Sequence, residues 1–103
     1  AVIELQQIFA SDSAIYISTI SEIELFAYHD EREANRIKEV LNTISIVPLD
    51  SAIAQRAAVL RRIHRLKLPD SAIAATTLYT GSTLVTRNVK DFQSVQGLTV
   101  KRI

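Results

Sequence analysis

Segments whose apolar residues recur at helical spacing alternate along this chain with short β-branched runs, and this alternation restricts the fold more than any other feature. Such an order feeds strand after strand into one sheet through helical crossovers, so it predicts an α/β sandwich, a central parallel β-sheet flanked by helices. Val2, Leu5 and Phe9 share one stripe and predict a first helix over 2–9. A strand over Ala14–Ser18 follows the polar turn Ser11-Asp12-Ser13. The spacing then predicts helices over 21–28 and 31–43, the second with Ile37, Val40 and Leu41 inward. A strand over Ile44–Leu49 carries Pro48 near its end, where the missing N–H costs least, and Asp50 or Ser51 caps a long helix over 52–66. Pro69-Asp70-Ser71 open an alanine-rich helix that Gly81 follows; Ser82–Thr86 and Leu98–Ile103 are the last strands.

Length and composition fit that architecture. With 103 residues and 48% hydrophobic side chains, the chain is expected to be one domain, 1–103, with a real core. The net charge of +1 gives no whole-molecule field toward anions, so electrostatic attraction has to come from local clusters. The absence of cysteine excludes disulfides, thiolate metal sites and a cysteine nucleophile, and fits a reducing compartment; the cytoplasm is the expected location. No apolar run is long enough to span a membrane, and the N-terminal segment with Glu4 has no basic stretch of a secretory signal. Gly81 and Gly97 are the only glycines, so no glycine-rich phosphate loop supports a nucleotide-binding regulator.

In an open parallel sheet, ligands collect beyond the carboxyl ends of the strands. Three acids fall there: Glu24 in the helix after the first strand, Asp70 at the start of the alanine-rich helix, and Asp91 just past the strand ending at Thr86. Each has a plain alternative. Asp70 suits an N-cap, Glu22 and Glu24 complement a helix dipole, and Asp91 suits an Asx-type turn before Phe92. The combination favours a site: carboxylates gathered beside a largely apolar helix repel one another unless a cation neutralises them. Without cysteine, and with His29 and His64 remote from these acids in the pattern, the donors would be oxygens, which suits Mg2+ or Mn2+, bound phosphates and activated water.

The stretches "ISTISEIEL", "LPDSAIAATTL" and "LVTRNVKDF", in that order, resemble the PIN domain and within it the VapC-type ribonuclease toxins of toxin–antitoxin pairs, and the resemblance covers essentially the whole chain. The last two carry most of the resemblance: a helix-opening Asp followed by Ile-Ala-Ala, then a strand ending Thr86-Arg87-Asn88 with Asp91-Phe92 beyond. It implies a PIN-like three-layer fold, Mg2+- or Mn2+-dependent endoribonuclease activity, a homodimer and a cognate antitoxin. Carried over position by position, it implies that Glu24, Asp70 and Asp91 hold the metal and that Asn88 supports the site, with Thr86 a lesser candidate. PIN domains begin with a strand carrying another Asp, and this chain has none: residues 2–9 resemble the helix that follows that strand. The sequence is therefore expected to be either an N-terminally truncated piece, the favoured reading, or a shortened relative, with weak or no cleavage on its own. Glu4 and Asp12 do not replace the missing acid, since neither lies at the carboxyl end of a strand.

Two further features have both plain and functional readings. Arg61, Arg62, Arg65 and Lys67 crowd seven residues, as a solvated helix face or as a contact for RNA phosphates, and His64 among them has no assigned role. Phe26 and Tyr28 are expected to lie at the surface and pair with a second copy. The competing overall reading is a non-catalytic PIN-like module that dimerises or binds an antitoxin after losing its first metal-binding acid.

Overall fold

The structure, a computed structural model, describes residues 7–10, 15–27 and 29–102. Ten elements follow one another: β1 (Gln7–Ala10), β2 (Ile15–Ser18), α1 (Thr19–Ala27), α2 (Glu31–Leu41), β3 (Ser45–Val47), α3 (Ser51–His64), α4 (Leu68–Thr80), β4 (Thr83–Thr86), α5 (Val89–Phe92) and β5 (Thr99–Arg102). The strands form one sheet in the order β3-β2-β1-β4-β5. Four of them, β2 to β5, run in one direction, as the strand–helix alternation requires. β1 lies between β2 and β4 and runs against both.

That central strand corrects the helix expected over 2–9 where the two overlap, at residues 7–9; the expected sandwich of helices around a central parallel sheet holds, with β1 the one reversed strand among the described residues. Helical spacing of apolar residues is a local signal. Beside β2 and β4, however, two rows of unpaired backbone N–H and C=O groups face a gap, and an extended segment there completes both ladders at once. Only four residues separate β1 from β2, enough for a hairpin but far short of the dozen or more that a parallel crossover needs, so the strand is antiparallel. Residues 2–6 and 11–14, with Glu4 and Asp12, lie outside the described residues.

Successive residues of β2 point to opposite faces, and they divide the core accordingly. Ile17, paired in register with Ile46, meets Leu25 and Phe26 of α1 and Ile37 and Leu41 of α2. Tyr16 on the other face joins Leu84, Ile73 and Ala74 of α4, Phe92 and Val95. A smaller cluster of Ile53, Ala57 and Ala75, with Val47 of β3 packed against it, fastens α3 to α4. The result is three layers, with α1 and α2 on one face and α4 and α3 on the other.

Helix α4 is the most enclosed element: Ser71 to Thr77 are all buried. Its threonines do not need partners elsewhere, because Thr76 Oγ1 donates to the Ala72 carbonyl at 2.7 Å and Thr77 Oγ1 to the Ile73 carbonyl at 2.8 Å. Hydroxyls satisfied within their own helix can be buried without penalty. The helix ends where Gly81 takes up a left-handed conformation (φ 65°) and its N–H reaches back to Leu78 and Thr77. A Cβ at Gly81 would meet nothing within 4 Å, so only backbone strain opposes a side chain there. Gly81→Ala is therefore expected to lower stability by about 1 kcal/mol, and Gly81→Asn by less, as read from urea midpoints.

The remaining boundaries shift modestly. Of the two expected caps for α3 it is Asp50 that acts, its carboxylate accepting from the Ile53 N–H at 2.9 Å. Strand β3 stops at Val47, one residue before Pro48. Helix α3 ends at His64 because Arg65 is left-handed (φ 55°).

Candidate functional site at the carboxyl edge of the sheet

Because β2 and β4 each oppose β1, their carboxyl ends, Ser18 and Thr86, lie at the same edge of the sheet. Helix α1 starts directly after Ser18, and α5 starts three residues after Thr86. Helix α4 runs into β4 through the Gly81 turn, so its opposite end, with Asp70, returns to that edge. It packs on both α1 and α5. The topology thus brings together the three elements that carry Glu24, Asp70 and Asp91.

The turns at this edge are built from small hydroxyl residues. Ser18 Oγ accepts from the Ser21 N–H at 3.2 Å and starts α1. Thr86 Oγ1 accepts from the Asn88 N–H at 3.1 Å and turns the chain into α5. Ser71 Oγ donates to the Leu68 carbonyl at 2.7 Å in the first turn of α4. Ser18, Ser21, Ser71 and Thr86 are all buried. A strand that ends in polar residues is explained here by backbone groups that need partners where the ladder stops. Ser18, Ser21 and Ser71 were not anticipated as part of this edge; the repeated Ser/Thr at the ends of β2 and β4 and after Asp70 was the available signal.

The acids differ in environment. Asp70 is half-buried and is the third residue of α4; the N-cap is Lys67, which makes no side-chain capping bond, so the plain reading of Asp70 as the cap does not hold. A first-turn carboxylate still gains from the helix dipole. Asp91 is exposed on α5, and its N–H donates to the Asn88 carbonyl at 3.1 Å, which makes this a short helical turn rather than an Asx turn. Asn88 is exposed at the N-cap of α5, without a side-chain capping bond. Glu24 is exposed on α1, and so is its neighbour Ile23, at 62%. The inward residues of that helix are Ser21 and Leu25.

Among the described residues no group of three or more His, Asp or Glu side chains could hold a metal ion. Carboxylate oxygens are the right donor type for a hard divalent cation, but too few of them are gathered by the described residues to form a centre. His29 takes no part: its Nδ1 lies 2.6 Å from the Leu25 carbonyl and its Nε2 3.8 Å from Glu33. Phe26 is half-buried against the Ile17 cluster rather than exposed, and Tyr28 lies outside the described residues. No helix among the described residues is long and apolar enough to cross a membrane.

A chain of a toxin–antitoxin complex from Klebsiella pneumoniae is 34% identical and superposes with a TM-score of 0.73, over 82% of this chain and 71% of that one. A chain of the VapBC2 crystal structure from Rickettsia felis, bound to a DNA fragment from its promoter, is 22% identical with a TM-score of 0.72, over 85% of this chain and 74% of that one, and is similar in fold. No curated protein matches significantly. A family model described as the PIN domain matches residues 1–98, nearly the whole length, and the chain belongs to the PIN domain family.

Proposed function

We propose that this chain is a toxin of the VapC type, an endoribonuclease that hydrolyses RNA phosphodiester bonds with Mg2+ or Mn2+ and is held in check by a cognate antitoxin in the cytoplasm. The observation that carries this reading is the 34% identity, over most of both chains, to a member of a toxin–antitoxin complex. The half-buried Asp70 at the sheet's carboxyl edge supports it. In this reading Glu24, Asp70 and Asp91 contribute oxygen donors for the cation, Asn88 supports them, and the bound cation would supply an activated water. A homodimer is part of the same reading. Phe26 does not support it, but the exposed Ile63, Leu68 and Tyr79 offer other apolar surface.

The alternative is a PIN domain that binds its partner without cleaving RNA, and the specific observation favouring it is the lack of a three-carboxylate group among the described residues. Incubating the 103-residue chain with a structured RNA and millimolar Mg2+ or Mn2+ separates the two. Little cleavage is expected from this chain. Cleavage that needs the metal is expected from a version in which an added N-terminal strand supplies a further Asp. Silence from both, with the antitoxin still bound, would favour the non-catalytic module.

A further inference from the structure

We propose that the turn joining α3 to α4, with Arg62, Arg65 and Lys67, is a docking surface for the phosphate backbone of RNA, laying the strand beside Asp70; this rests on the ribonuclease reading above. Between Asp50 and Asp70 the chain carries five Lys or Arg and no acid, leaving seven against eleven acids elsewhere. A molecule of net charge +1 therefore has a local positive region, and all five cations are exposed. No hydrogen bond or ion pair among the described residues engages the side chains of Arg62, Arg65 or Lys67.

A solvated helix end accounts for part of this pattern. Arg61 and Arg62 lie in the last turn of α3, where cations complement the helix dipole. It does not account for the next residues. Arg65 occupies a left-handed conformation (φ 55°, ψ 37°), the one non-glycine residue with positive φ among the described residues, at a position where glycine is the ordinary choice. Lys67 is the N-cap of α4, a place that favours Ser, Asp or Asn and disfavours a cation. Two locally unfavourable choices within three residues both put positive charge on the same turn, and such departures from local preference concentrate at functional sites. The turn is also held in place. Arg61 Nη1 donates to the Leu66 carbonyl at 3.0 Å, and the Leu66 side chain is buried in the core beneath α4. Lys67 precedes Asp70 by three residues, so a backbone docked on this turn runs toward the carboxyl edge. No Phe, Tyr or Trp lies between Asp50 and Asp70, so contact is with phosphates and carries no base preference.

The test is fluorescence anisotropy of a labelled 20-nucleotide oligouridylate with the whole chain in EDTA, where binding is read without cleavage. Three phosphate contacts predict that Arg62→Gln/Arg65→Gln/Lys67→Gln weakens binding at least about tenfold and reduces the slope of log K against log salt by about 2. Arg65→Gly separates charge from structure: it should bind RNA more weakly while melting at a higher temperature, because the left-handed strain is gone. A triple variant with unchanged affinity and salt slope would overturn the proposal, as would an unaltered chain that does not bind the oligonucleotide. Retained RNA binding with loss of antitoxin binding or self-association would overturn it too, assigning the turn to an acidic protein partner. Salt-dependent binding through this turn by a chain that never cleaves RNA would refute the ribonuclease reading and leave the docking surface standing.

Discussion

Asp70→Asn is expected to abolish metal-dependent RNA cleavage in a chain extended by an N-terminal strand carrying a further Asp, with a loss on the order of 100- to 1,000-fold. A bound cation supplies several kcal/mol of transition-state stabilisation, which loss of a ligand puts at risk, and each 1.36 kcal/mol is a factor of about ten in rate. The substitution keeps the side-chain volume and removes the charge, and at a first-turn helix position it leaves the fold standing. Circular dichroism should therefore match the parent, with thermal melting lowered only by the loss of a first-turn charge, about 1 kcal/mol, while cleavage, followed on a gel with Mg2+ or Mn2+, disappears. Asp91→Asn and Glu24→Gln should cost less, since both carboxylates are exposed where Asp70 is half-buried. Undiminished, chelator-resistant cleavage by the Asp70→Asn protein would exclude a role for this carboxylate in metal-assisted hydrolysis.

Phe92→Ala should have the largest effect on stability. The ring is fully buried among Ile73, Ala74 and Leu84 and ties α5, with Asp91, to the sheet. Truncating such a phenylalanine costs about 3–5 kcal/mol, against roughly 5–15 kcal/mol for the whole stability of a domain this size. Phe92→Leu, which nearly preserves volume, should cost less than about 1.5 kcal/mol. Urea unfolding followed by circular dichroism measures both. Equal midpoints for the parent and Phe92→Ala would mean that α5 does not hold to the core as described.

The parts of the fold legible in the sequence are those fixed by local chemistry or by a repeated pattern. Asp50 before an apolar run, Gly81 after the alanine-rich helix and the burial of residues 71–77 all follow from which residues tolerate a cap, a left-handed turn or an apolar interior. The central strand was not legible, since its conformation comes from the two ladders beside it rather than from Gln7–Ala10 themselves. At the carboxyl edge, the order of elements was enough to bring the acid-bearing helices together. How far each carboxylate is exposed was not, because it depends on how each helix is rotated about its axis. In α1 the inward positions fall to Ser21 and Leu25, and Glu24 with Ile23 turns outward.

The reversed middle strand makes the sheet a seam between two pairs. Without its four residues, β2-β3 and β4-β5 would be separate two-stranded ribbons, each too small to persist in water. Helix α4 touches both ribbons, meeting β2 and β4 while also packing on α1, α3 and α5. The molecule is thus stitched twice along the same line, once by backbone hydrogen bonds within the sheet and once by apolar contact across its face. The second stitch is the helix that carries Asp70. Whatever loosens the seam loosens the platform of that acid, so mechanical integrity and the proposed chemistry share one axis of the molecule.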